Sequence, residues 1–163
     1  MARATVAAPA GPSQAEVMDA VLAASRVLVA VAARSASASP EDVTLPQFRT
    51  LVVLAYKGPQ RTIDLAEELA VNSSTATRMI DRLVRRKLVH RTAHPEDGRA
   101  NRVEISERGR EVVAAVNRQR RSELSRILRK MPPERRRALV EGLDALRLAA
   151  GEPAEQGSAA AWI

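Results

Sequence analysis

The sequence predicts a mainly α-helical chain with one small β-hairpin, and three observations carry that expectation. Ala, Val, Leu and Arg dominate the 163 residues while aromatic residues make up only 2%, a composition that favours helices packed through aliphatic side chains. Two short helical patterns, Thr62–Leu69 and Ser73–Arg86, follow each other across the break Ala70-Val71-Asn72. Two β-prone runs, Leu88–Thr92 and Arg102–Ile105, then flank the turn Pro95-Glu96-Asp97-Gly98-Arg99. Helix, turn, helix and an arginine-tipped hairpin is the layout of a winged helix-turn-helix, which lays its second helix in the major groove of DNA.

Residues 1–12, rich in Ala and Pro, read as a disordered leader rather than a signal peptide. A first helix spans Ser13 to about Arg34. Val17, Val21, Leu22, Leu28 and Val29 recur near helical spacing, and the stripe runs on through Val31, Ala32 and Ala33, so much of it is expected to be buried. Ser35–Asp42 reads as a polar loop. Thr44-Leu45-Pro46-Gln47 opens the second helix: Thr44 and Gln47 can cap each other's backbone N–H, and Pro46 sits where no N–H is needed. Phe48, Leu51, Val52, Leu54 and Ala55 share its apolar side, and Lys57-Gly58-Pro59 ends it.

Thr62 is expected to cap the third helix and Asn72 the fourth. Ala76, Met79, Ile80, Leu83 and Val84 give the fourth an inward stripe, which leaves Ser74, Thr77, Arg78, Asp81 and Arg85 on the opposite face and Ser73 at its entrance. Ser106 caps a long fifth helix from Glu107 to about Lys130, with Val112, Val113, Val116, Leu124, Ile127 and Leu128 as its apolar residues. Met131-Pro132-Pro133 breaks it. A sixth helix runs from Glu134 to about Ala150 with Leu139, Val140, Leu143 and Leu146 on one side, and 151–163 reads as a flexible tail.

The formal charge of +7 and a pI near 11.1 favour an anionic partner. The charge is spread: residues 44–106 are +4 and 107–150 are +6, against mildly acidic ends. The arginines at 118, 120, 121, 126, 129 and 135–137 read as solvated helix faces, the alternative being a wider footprint on a polyanion. Cysteine is absent, which excludes disulfides and cysteine-based redox sensing. No apolar run approaches the ~20 residues that span a bilayer, and a cytoplasmic location is expected. His90 and His94 lack the companions of a metal set, and no nucleophile turn or phosphate loop appears, so neither an enzyme nor a cofactor is expected.

The chemistry concentrates on helix 73–86 and the turn. Ser73, Ser74, Thr75 and Thr77 are small enough for the helix N-terminus to approach phosphates, and Arg78 is long enough to reach a guanine edge. Arg99 at the tip can enter the minor groove, with Asp97 bracing it. Thr62, Arg82 and Arg102 complete the candidate DNA-contacting set.

These residues resemble the MarR family (multiple antibiotic resistance regulators). The matching pieces are Thr44-Leu45-Pro46-Gln47-Phe48, Asp64-Leu65-Ala66, Ser74–Arg78, Asp81-Arg82-Leu83, Asp97-Gly98-Arg99 and Ser106-Glu107-x-Gly109-Arg110, in the family's order from about Ser13 to Ala150. The resemblance implies a homodimer with a DNA-reading lobe at 44–106 and dimerisation segments at 13–43 and 107–150. It further implies repression relieved by small, often phenolic ligands. Arg78 would read bases, with Arg99 the wing arginine and Asp97 its acidic partner. Three residues depart from the pattern: Gly98 replaces a second arginine, Lys87 a glycine, and Ser106 a threonine.

The expected mode is therefore a dimer on double-stranded DNA at an inverted repeat, with an effector lodged where dimer region meets reading lobe. Phe48 and Tyr56 are candidate ligand-lining residues, with core packing as the alternative. Two other readings stay open: an architectural, sequence-indifferent nucleic-acid binder, and a winged helix used to dock a protein.

Overall fold

The computed structural model describes residues 11–39, 41–93 and 101–151. In chain order it contains α1 (Gln14–Ser37), α2 (Leu45–Lys57), β1 (Gln60–Arg61), α3 (Thr62–Glu68), α4 (Ser73–Arg85), β2 (Val89–Ala93), β3 (Asn101–Ile105), α5 (Glu107–Leu128) and α6 (Pro133–Ala149). The architecture is the mainly helical winged helix-turn-helix that the sequence predicts. The expected leader, the tail beyond Gly151, and the turn carrying His94, Asp97 and Arg99 lie outside the described residues.

Four of the six helices begin at a residue whose side chain caps them; α3 and α6 have no side-chain cap. Ser13 and Glu16 form a reciprocal box at α1, as do Thr44 and Gln47 at α2. Asn72 accepts from the Thr75 N–H, and Ser106 from the Gly109 N–H. Thr62, expected as the cap of α3, is instead its first helical residue. Arg61 occupies the cap position and offers no side-chain acceptor. Asp64 compensates: its carboxylate takes the Arg61 guanidinium at 2.6 and 2.9 Å. That hydrogen bond, with smaller help from the Arg102 charge, holds the Asp64 carboxyl below the usual aspartate value.

The sheet runs β1-β3-β2, both pairings antiparallel, with Gln60 opposite Val103 and Val89 opposite Ile105. Two-residue β1 was not foreseen, because Gln-Arg carries no alternation that marks a strand. Val103 and Ile105 point into one core with Phe48, Leu51, Leu54, Leu65, Ile80, Leu83 and Leu88, closed by Val112 and Val116 of α5.

Two expectations for α1 are corrected. The helix continues through the supposed polar loop to Ser37, with Ser35 fully buried because its hydroxyl donates to the Val31 carbonyl at 2.8 Å. Conversely, only Val31, Ala32, Ser35 and Ala36 of this helix are buried within one chain. Val17, Met18, Val21 and Leu22 remain 39–53% exposed, and α6 buries nothing.

After α4 the chain turns through Lys87 at φ +59°, so the left-handed step that suits glycine is made by lysine. A Cβ there costs about 1 kcal/mol. Lys87→Gly is accordingly expected to raise unfolding stability by roughly that amount in a denaturant titration. A destabilised variant would contradict the reading.

Candidate nucleic-acid interface

Helix α4 is held by its inner stripe. Ala76, Met79, Ile80 and Leu83 are buried and Val84 packs against the core, which fixes the helix's rotation about its axis. Ser73, Ser74, Thr77, Arg78, Arg82 and Arg85 are therefore exposed. At the N-terminus Asn72 Oδ1 accepts from both the Thr75 N–H (2.8 Å) and the Ser74 hydroxyl (2.9 Å), and the Thr77 hydroxyl donates to the Ser73 carbonyl at 2.8 Å. These bonds tie down the first turn of the helix.

Arg78 and Arg82 enter no ion pair among the described residues. They border a groove of about 420 Å³ between α4 and the start of α2, lined also by Thr44, Pro46, Gln47, Thr75 and Met79. Thr75 is thus half-buried in that groove rather than on the open face. The one carboxylate of the face, Asp81, is taken by Arg91 of β2 at 2.6 Å. Sequence reasoning missed Arg91, since nothing in the primary structure aligns a strand residue with a helix residue ten positions earlier. With Asp81 neutralised, the exposed side of α4 is cationic from Arg78 to Arg85, behind a neutral hydroxyl-bearing first turn, as suits an anionic partner.

The remaining candidates fall elsewhere. Thr62 is half-buried at the start of α3. Arg102 sits in β3 opposite Arg61 and Thr92, half-buried, with its Nε enclosed and without a hydrogen-bond partner among the described residues. His90 meets its cross-strand neighbour Glu104 at 3.3 Å, a structural pairing on the sheet surface. Phe48 is 1% exposed inside the core, so its ring walls no open cleft, whereas Tyr56 at the end of α2 is 41% exposed.

Comparison with known proteins agrees with this geometry. The MarR family model matches residues 43–100, the segment holding α2, the helix-turn-helix and the first strand of the wing hairpin. The chain is 30% identical over 105 residues to the HTH-type transcriptional regulator YfiV of Bacillus subtilis, covering 64% of this chain and 66% of that protein. It is 32% identical over 71 residues to the multiple antibiotic resistance protein MarR of Salmonella typhimurium, covering 44% of this chain and 49% of that one. It therefore spans about two thirds and half of the length of these relatives. Among solved structures, RV1404 of Mycobacterium tuberculosis aligns with a TM-score of 0.78 at 43% identity, over 90% of this chain and 100% of its own. A reading helix clamped by a buried stripe, a three-stranded sheet behind it and relatives of this kind lead to one conclusion: the chain belongs to the MarR family of helix-turn-helix transcriptional regulators.

Proposed function

We propose that the protein is a sequence-specific DNA-binding regulator, acting as a homodimer on an inverted-repeat operator, in the cytoplasm and as a repressor released by a small-molecule effector. The observation that carries this reading is the outward face of α4, where Ser73, Ser74, Thr77 and Arg78 stand exposed over a fully committed inner stripe. We further propose that Asp97 and Arg99, which lie outside the described residues, contact the duplex on the minor-groove side. Dimerisation is supported by apolar side chains that the described residues leave uncovered: Val17, Val21 and Leu22 on α1, and Leu139, Val140, Leu143 and Leu146 on α6. Two reading helices about 34 Å apart then meet successive major grooves. An effector acts only by binding one spacing of those helices better than the other.

Selection of bound fragments from randomised DNA tests the reading, with an inverted repeat as the expected product. On the recovered operator, Arg78→Ala is expected to cost about 1–3 kcal/mol and to relax preference at one position per half-site. Equal losses on operator and random DNA would indicate an architectural binder, and no loss a protein-docking module.

A further inference from the structure

Three segments distant in sequence meet at one carboxylate. Glu41, in the connection between α1 and α2, is only 17% exposed at its side chain. Its Oε1 accepts from the Nε and Nη2 of Arg108, the second residue of α5, at 2.8 and 2.5 Å. Its Oε2 faces Nη2 of Arg86, the residue that terminates α4, at 3.7 Å, while Arg86 Nη1 donates to the Asp42 carbonyl at 3.4 Å. The same junction is stitched by Ser106, whose hydroxyl donates to the Lys87 carbonyl at 2.7 Å and whose N–H donates to the Leu88 carbonyl at 3.0 Å.

We infer that Glu41 is a positioning residue for DNA reading: its carboxylate clamps the C-terminal end of α4 to the start of α5 and so sets the tilt of the reading helix against the long helices. This rests on the DNA-binding reading proposed above. The physical argument is electrostatic and mechanical. Without the carboxylate, the guanidinium groups of Arg86 and Arg108 converge on one spot with like charge and repel. Helix α4 is 13 residues, about 20 Å, long. A displacement at Arg86 is therefore carried as tilt to Ser73 and Arg78, the end that meets the bases. The inner stripe resists sliding of α4, but rocking about that stripe is opposed at its C-terminal end by this clamp. Glu41 itself lies outside the DNA-facing residues, so its effect reaches the duplex only through Arg86.

The test uses the full-length chain and the operator recovered by selection, comparing wild type with Glu41→Gln, Arg108→Gln and the double variant. Glu41→Gln is expected to raise the operator Kd about tenfold and to weaken the penalty for operators with one base pair inserted between half-sites. Random-sequence DNA affinity and the thermal unfolding midpoint should stay near wild type. The two single losses should not add in the double variant, because both remove one clamp. Operator affinity and spacing preference within about twofold of wild type, additive losses, or a loss matched on random DNA would each overturn the inference. Arg78→Ala separates the two proposals: a chain that selects an operator, loses it on Arg78→Ala and ignores Glu41→Gln refutes the clamp alone. A wild-type chain that selects no sequence removes the function, and the clamp's role with it.

Discussion

Gly109→Ala is expected to be among the most damaging single substitutions in the chain, lowering unfolding stability by about 3–5 kcal/mol. Gly109 stands in the first turn of α5, fully buried against the hairpin. A Cβ built there runs into the backbone carbonyl oxygen of Leu88 and lies 2.7 Å from Cγ1 of Ile105. A flexible side chain can yield, but a carbonyl cannot. That carbonyl already accepts the Ser106 N–H at 3.0 Å, so moving it breaks the staple between the exit of α4 and the entry of α5. For a domain of this size the loss corresponds to a fall in Tm of roughly 10 °C. Chemical denaturation of Gly109→Ala beside Gly142→Ala provides the control, since a Cβ at Gly142 meets nothing of its own chain within 4 Å. Similar stabilities for the two variants would contradict a steric cost at Gly109.

Leu143→Glu is expected to break the proposed dimer while sparing the lobe that holds the core. Leu143 is half-exposed on α6, between Leu139 and Val140 on one side and Leu146 on the other, and no residue of α6 is buried within one chain. In a two-fold interface each substitution acts twice. Two carboxylates taken into apolar contact without partners should weaken association by about 3 kcal/mol, or roughly 100-fold in dimer Kd. Analytical ultracentrifugation across a concentration series reads that shift, and circular dichroism should report retained helix. Operator affinity should fall with the dimer, because one lobe reads too few bases to hold a site alone. A variant that stays dimeric at low concentration would sink the assignment of α6.

Periodicity and capping chemistry carried most of the element boundaries. The stripe Ala76, Met79, Ile80, Leu83 and Val84 is legible because a 3.6-residue period survives any tertiary context, and it dictates which face of α4 is left outside. Where a boundary was misplaced, a side chain met a need that sequence does not display. Ser35 is buried because Val31 accepts its hydroxyl, and Thr62 lies inside α3 because Arg61, paired with Asp64, occupies the cap position. Phe48 and Tyr56, equivalent as rings in a poor aromatic set, were separated only by packing: one is enclosed in the core, the other is open at the end of α2.

The order of the helices, the reading helix and its outward residues were legible from the residues alone, because these depend on neighbours three and four positions apart. Which charges are already paired emerged from the folded arrangement. Asp81 with Arg91, and Glu41 with Arg86 and Arg108, join residues ten to sixty-seven positions apart. Such pairs depend on how strands and helices come together in space, and no local period encodes that.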